Sequence, residues 1–150
     1  MLTQIIVGLL VAGVAIGVAL VLKRRSPEGP PRDAFPVPRQ LDRNDFNSPS
    51  TPWLVAYFSS LTCDSCVDLG PKVAALASDL VAIDEISYER QRDLHTRYEI
   101  AGLPMILIAD SAGVVARAFV GSISASDLWA SLAECREPGS TPDPDLGIVR

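Results

Sequence analysis

The sequence predicts an α/β domain carried behind a single apolar N-terminal helix. Three observations predict it. Residues 5–22 are an unbroken run of 18 apolar or glycine residues, beyond which strand-like and helix-like segments alternate as strand, helix, strand, helix, hairpin, helix. The composition is that of one ordinary globular domain plus something small, because 150 residues with 48% hydrophobic and 21% charged side chains cannot supply two full domains. Glycine and proline together number 22, neither periodic nor concentrated enough for a collagenous or wholly disordered chain, and the apolar content is too high for disorder.

The apolar run comes first in the chain. With Leu2, Thr3 and Gln4 it reaches the roughly 20 residues that a helix needs to cross about 30 Å of hydrocarbon, so residues 1–22 read as a transmembrane helix entering the membrane through residues 2–22. A cleaved signal peptide would want a basic start, a shorter apolar core and a small-residue cleavage site, and the run has none of these. Lys23, Arg24 and Arg25 follow it directly, with Arg32, Arg39 and Arg43 further on, while only the terminal amine precedes it. Basic residues stay on the cytoplasmic side, so the soluble part is expected in the cytoplasm, with an extracytoplasmic placement as the alternative. Gly13 and Gly17 form a GxxxG pair that could bring two such helices together as a weak homodimer, although glycine is common in lipid-facing helices.

Residues 23–51 carry a net charge of +2, and residues 26–52 contain seven prolines. Proline lacks an amide donor and restricts its predecessor, so this stretch reads as a basic, Pro-rich, semi-rigid linker in which Leu41 and Phe46 are isolated apolar residues, expected in a solvated tether, with docking on the domain as the alternative. The domain proper is placed at residues 52–136. Its first element, residues 54–58 (LVAYF), has the continuous apolar, β-rich character of a buried central strand. After a turn at residues 62–65, Val67, Leu69, Val73, Leu76 and Leu80 recur at helical spacings, with Pro71 expected to kink the helix. A second strand is expected at residues 81–86, with Asp84 and Glu85 as a solvent-facing strand end, and a polar-faced helix at residues 89–98.

The break at Gly102, Leu103 and Pro104 opens a hairpin, with strands at residues 105–109 and 114–120 around the turn at residues 110–113 and Gly121 as its end. Ser124 or Ser126 can cap a last helix whose Leu128, Leu132 and Cys135 share one face, with Trp129 beside them. Residues 137–150, with three further prolines, read as a flexible tail.

Residues 52–150 carry a net charge of −7, which lacks the basic footprint that phosphate contacts require, so nucleic acid is not expected as a partner. Chemistry is concentrated at Cys63-Asp64-Ser65-Cys66, a CxxC motif where a buried strand hands over to a helix. A cysteine at a helix N-terminus meets unsatisfied amides and the positive end of the helix dipole, so its thiolate is favoured, and a second cysteine one turn on can close a disulfide. A zinc site would need two more ligands, and His95 and Cys135, the remaining histidine and cysteine, stand at no ligand spacing; neither a metal nor a cofactor is expected. His95 reads as a surface or helix-packing residue and Cys135 as a buried, inert thiol.

In this context residues 52–136 resemble a thioredoxin domain. The resemblance rests on offsets as well as on CxxC: Pro71 stands eight residues after the first cysteine, Leu103-Pro104 stands where the family has a cis proline opposite the cysteines, and Gly121 follows the last strand. It implies a central mixed sheet flanked by helices. It also implies that Cys63 attacks a substrate disulfide, that Cys66 resolves the mixed disulfide, and that Leu103 and Pro104 bind the substrate chain in extended form. The chain departs from thioredoxin around these residues. Asp64 and Ser65 replace Gly-Pro, Thr62 and Ser59 stand where it has tryptophans, and Tyr57 stands where it has the buried aspartate that assists proton transfer. The Asp64 carboxylate opposes formation of the Cys63 thiolate while the helix terminus favours it, which points to a reducing couple.

The expected activity is therefore that of a membrane-tethered thiol–disulfide oxidoreductase, reducing protein disulfides and recharged by an unidentified thiol reductant. The alternative is a non-enzymatic redox-sensing or partner-binding module in which the cysteines only set the state of a docking surface.

Overall fold

The structure is a computed structural model and describes residues 35–148. The apolar run at residues 5–22, Gly13 and Gly17, and the basic cluster at Lys23, Arg24 and Arg25 lie outside the described residues. Among the described residues no helix is long and apolar enough to cross a membrane.

Four strands, β1 (Trp53–Ser59), β2 (Val81–Ser87), β3 (Met105–Ala109) and β4 (Val115–Val120), alternate with three helices, α1 (Asp64–Ala74), α2 (Arg92–Arg97) and α3 (Ala125–Arg136). The strands form one sheet in the order β2-β1-β3-β4. β1 pairs parallel with β2, Trp53 beside Val81, and antiparallel with β3, Phe58 beside Met105. The result is a mixed sheet, parallel where a helix forms the crossover and antiparallel where the turn at Gly113 closes a hairpin.

Both faces of the sheet are covered, which is why β1 and β3 read as continuous apolar runs. Val55, Tyr57, Ile106 and Ile108 point to one face and pack with Cys66, Leu69 and Val73 of α1 and with Leu128 and Leu132 of α3. Leu54, Ala56, Phe58, Met105 and Leu107 point to the other, where they meet Leu41, Phe46, Ile86 and Tyr98. Burying each such aliphatic side chain contributes about 1.5–3 kcal/mol. Val67 and Leu80, assigned to the helical stripe from their spacing, are instead exposed, at 70% and 47%. Pro71 stands inside α1 as expected, and Ser124 caps α3 by accepting from the Asp127 amide.

The second face corrects the reading of the Pro-rich stretch. Leu41 is 1% exposed and Phe46 5%, so both belong to the core and not to a solvated tether. The segment is held by specific bonds: the Leu41 N–H donates to the Gly113 carbonyl at 2.8 Å, and the buried Arg43 guanidinium donates to the carbonyls of Asp110 (2.8 Å), Thr51 (2.9 Å) and Ser48 (3.3 Å). α2 is a helix of six residues, and Leu41 and Phe46 of the N-terminal segment share this face with its Leu94. Asp84, expected at a solvent-facing strand end, is buried and accepts from the Asn47 backbone N–H and side-chain amide at 2.9 and 3.1 Å.

The C-terminal stretch also makes specific contacts with the domain up to residue 148. Glu134 accepts from the Gly139 and Thr141 N–H groups and the Thr141 hydroxyl, bonds that hold its carboxyl below the usual range. Leu146 packs on the core and the Ala118 N–H donates to the Gly147 carbonyl at 2.8 Å, laying the chain along β4.

Candidate active site

The site is built where β1 ends. Beyond Ser59 the chain turns through residues 60–62 and reaches Cys63, the N-cap residue of α1, in extended conformation (φ −102°, ψ 100°). Ser, Thr, Asp or Asn is the usual choice there because its oxygen accepts from the first free amides. Cys63 makes no side-chain cap bond, and its sulfur is joined to Cys66 in a disulfide, with Cα atoms 5.3 Å apart and the Cys66 N–H donating to the Cys63 carbonyl at 3.0 Å. Cys63 is half-buried, whereas Cys66 is 4% exposed and belongs to the core under α1. Cys63 is thus the more exposed residue of the pair, and Cys66 is screened.

The side chains predicted around the pair are found there, in different settings. Asp64 is exposed in the first turn of α1, Ser65 Oγ lies 3.6 Å from Cys63 Sγ, and Thr62 is exposed with its hydroxyl 3.0 Å from Ser60 Oγ. Tyr57 is buried beneath the helix and donates its hydroxyl to the Cys66 carbonyl at 2.6 Å. Burial, and secondarily the nearby Glu85 carboxylate, push its phenol up to about 12. At neutral pH Tyr57 therefore remains a donor that holds the first turn of α1 in place. It is not a base.

Leu103 and Pro104 stand immediately before β3, the strand beside β1. Because β1 and β3 are antiparallel, the end of β1 and the start of β3 share one end of the sheet, so the cysteine turn and Leu103-Pro104 flank the same end. Their peptide bond is cis, Pro104 is buried, and the Pro104 carbonyl accepts from the Gly121 N–H at 2.8 Å. Half-buried Leu103 packs at the margin of the core that contains Cys66.

Two residues set aside from the sequence lie apart from this chemistry. His95 is 5% exposed on the opposite sheet face, its ring against Phe58 and Tyr88 and its Nε2 2.9 Å from the Ile86 carbonyl. Cys135 is a free, half-buried thiol on α3, and burial pushes its pKa up, away from reactivity. Among the described residues no group of three or more His, Cys, Asp or Glu could hold a metal ion.

Sequence reasoning passed over Glu89, which it placed inside a helix running from 89 to 98. In the structure α2 begins at Arg92 and Glu89 sits in the loop before it, where its carboxylate accepts from Ser87, Ser60 and the Leu61 N–H. No spacing in the sequence signals a contact across 28 residues to the turn that precedes Cys63.

Comparison with known proteins agrees with this geometry. The sequence model of one family, Thioredoxin, matches residues 40–134. Among solved structures, the chain is similar to thioredoxin from Fasciola hepatica, with a TM-score of 0.51, 20% identity and coverage of 59% of this chain and 85% of that one. It is also similar to mitochondrial thioredoxin 3 from Saccharomyces cerevisiae in its oxidised form, with a TM-score of 0.48, 18% identity and coverage of 57% and 82%. No curated protein matches the sequence.

Proposed function

The chain belongs to the thioredoxin family, and from that premise we propose that it is a membrane-tethered thiol–disulfide oxidoreductase that reduces protein disulfides. The observation that carries the reading is the Cys63–Cys66 disulfide at the start of α1, with Cys63 half-buried and Cys66 buried. In the reduced protein, the Cys63 thiolate attacks one sulfur of a substrate disulfide, forming a mixed disulfide and releasing a substrate thiolate that takes a proton from solvent. Cys66 then loses its proton and attacks Cys63 Sγ, closing the intramolecular disulfide and expelling the second substrate thiol. Two electrons pass to the substrate, and the oxidised state, the one described above, is returned to the dithiol by an external thiol reductant. Tyr57 holds the carbonyl of the resolving cysteine, and Leu103 and Pro104 line the approach of the substrate chain.

Turnover tests the reading. A substoichiometric amount of the full-length chain is expected to reduce many equivalents of insulin disulfide while dithiothreitol recharges it. A burst of one equivalent and no more would instead identify a redox-sensing or docking module.

The reductive direction is supported by Asp64, an exposed carboxylate adjoining Cys63. Its charge disfavours the thiolate that stabilises the reduced form, so Asp64→Asn is expected to make the couple more oxidising by about 10–30 mV, less at raised salt. Equilibration with glutathione buffers measures this, and a more negative potential would show that the side chain acts otherwise than through its charge.

The tether is supported by the apolar run at residues 5–22, and a cytoplasmic domain by Lys23, Arg24 and Arg25 after it. A membrane-impermeant maleimide applied to intact, reductant-treated cells is expected to leave Cys63 unlabelled. Labelling from outside would place the domain across the membrane.

A further inference from the structure

Glu89 is exposed, yet both of its carboxylate oxygens are engaged. Oε1 accepts from Ser60 Oγ at 2.8 Å and from the Leu61 N–H at 3.0 Å, and Oε2 accepts from Ser87 Oγ at 2.7 Å. Ser60 Oγ accepts in turn from the Thr62 N–H at 3.2 Å, and the Cys63 N–H donates to the Ser60 carbonyl at 3.2 Å. One residue earlier, the Tyr88 N–H donates to the Ser59 carbonyl at 2.9 Å. Each of the three residues between β1 and Cys63 is therefore tied, directly or through Ser60, to the loop that follows β2. Bonds to a carboxylate are stronger than bonds between neutral groups, and these, led by the Ser87 hydroxyl, hold the Glu89 carboxyl down at about 2. The clamp stays ionised throughout the pH range of thiol chemistry.

The clamp fixes the main chain of Leu61 and leaves its side chain 81% exposed, two residues before Cys63. A single exposed leucine is ordinary. This one stands where a partner must come, because a mixed disulfide brings the partner's sulfur to about 2.05 Å from Cys63 Sγ and its neighbouring residues over those that flank Cys63. Exposed Val67, at 70%, stands one residue beyond Cys66.

We propose that Glu89 is a positioning residue that holds residues 60–62 so that the Leu61 side chain contacts the substrate protein beside its disulfide, selecting substrates with an apolar residue next to the reacting cysteine. This rests on the oxidoreductase reading above.

The test compares the full-length chain with Leu61→Ser, Glu89→Ala, the double variant and Glu89→Gln, using insulin and oxidised glutathione as disulfides, with thermal unfolding recorded for each. The KM for insulin is expected to rise at least about tenfold in both single variants, the lower end of what loss of one buried leucine contact gives, and selectivity for insulin over glutathione to fall by the same factor. The double variant is expected to match either single one, because the two residues act as a unit. Glu89→Gln keeps an oxygen acceptor for Ser60 and Leu61 and should recover most of the loss. An unchanged KM in Glu89→Ala, additive effects in the double variant, or an equal slowing with both disulfides would overturn the proposal. A parent protein that turns over both disulfides with no preference for insulin would overturn it alone, whereas one that does not turn insulin over would overturn the oxidoreductase reading with it.

Discussion

Replacing Cys66 with serine is expected to arrest exchange at its midpoint and to accumulate mixed disulfides between Cys63 and partner proteins. After the first attack, the way out of the intermediate is a second attack from within the same turn, made by a sulfur whose Cα lies 5.3 Å from that of Cys63. A hydroxyl in its place is too weak a nucleophile, so the adduct persists until an external thiol reaches it. Cys63→Ser should trap few partners, because the remaining thiol is 4% exposed and its main chain is pinned by Tyr57. Turnover should fall to background in both variants. Non-reducing electrophoresis and mass spectrometry of the trapped species distinguish them, and equal trapping, or trapping by Cys63→Ser alone, would reverse the assignment of attacking and resolving cysteine. The trapped proteins also identify the substrate.

The second large effect is on stability. Gly113→Ala is expected to cost at least about 3 kcal/mol, near the upper range for single substitutions. Gly113 has φ +81°, and a Cβ there would stand 2.0 Å from the Leu41 carbonyl oxygen, so the hairpin turn and the N-terminal segment could no longer touch. The Leu41 N–H bond to Gly113 would go with it. Gly139→Ala is the control, since its φ is +84° and a Cβ there would meet nothing within 4 Å. That variant bears the backbone strain alone, about 1–2 kcal/mol. Urea unfolding of both measures the difference. Similar losses would show that Leu41 and its segment add little to the domain.

That contrast marks where sequence reading stops. The order of elements was legible because burial on both faces leaves β1 and β3 uniformly apolar and because the turn at residues 110–113 carries Asp, Ser and Gly. The cysteine turn was legible from its motif and from its position between a strand and a helix. Leu41 and Phe46 were not, because their segment has no periodicity: it is held by Arg43 reaching backbone carbonyls and by one bond to a hairpin turn, and neither leaves a pattern in residue type. The prolines that suggested a spacer are compatible with a packed extended chain, which needs few amide donors. Glu89 was hidden for a related reason, as a single acid in a loop whose partners are two serines and a main-chain amide.

The path of the C-terminal stretch along β4 bears on how copies of this protein meet each other. A four-stranded open sheet has two outer strands, and bare main-chain donors and acceptors on either would invite another chain to extend it. At β4, the bridge between Arg117 and Ile148 and the bond from Ala118 to Gly147 use that side of the strand. At β2, the protection is of another kind: Asp84 turns a carboxylate inward, where Asn47 satisfies it, and Glu85 presents a second charge outward, so a strand from another molecule would have to approach two acids. Shortening the chain at residue 136 would leave the fold's central strands intact while uncovering β4, and the expected consequence is self-association by strand addition, at the side of the sheet farthest from β2.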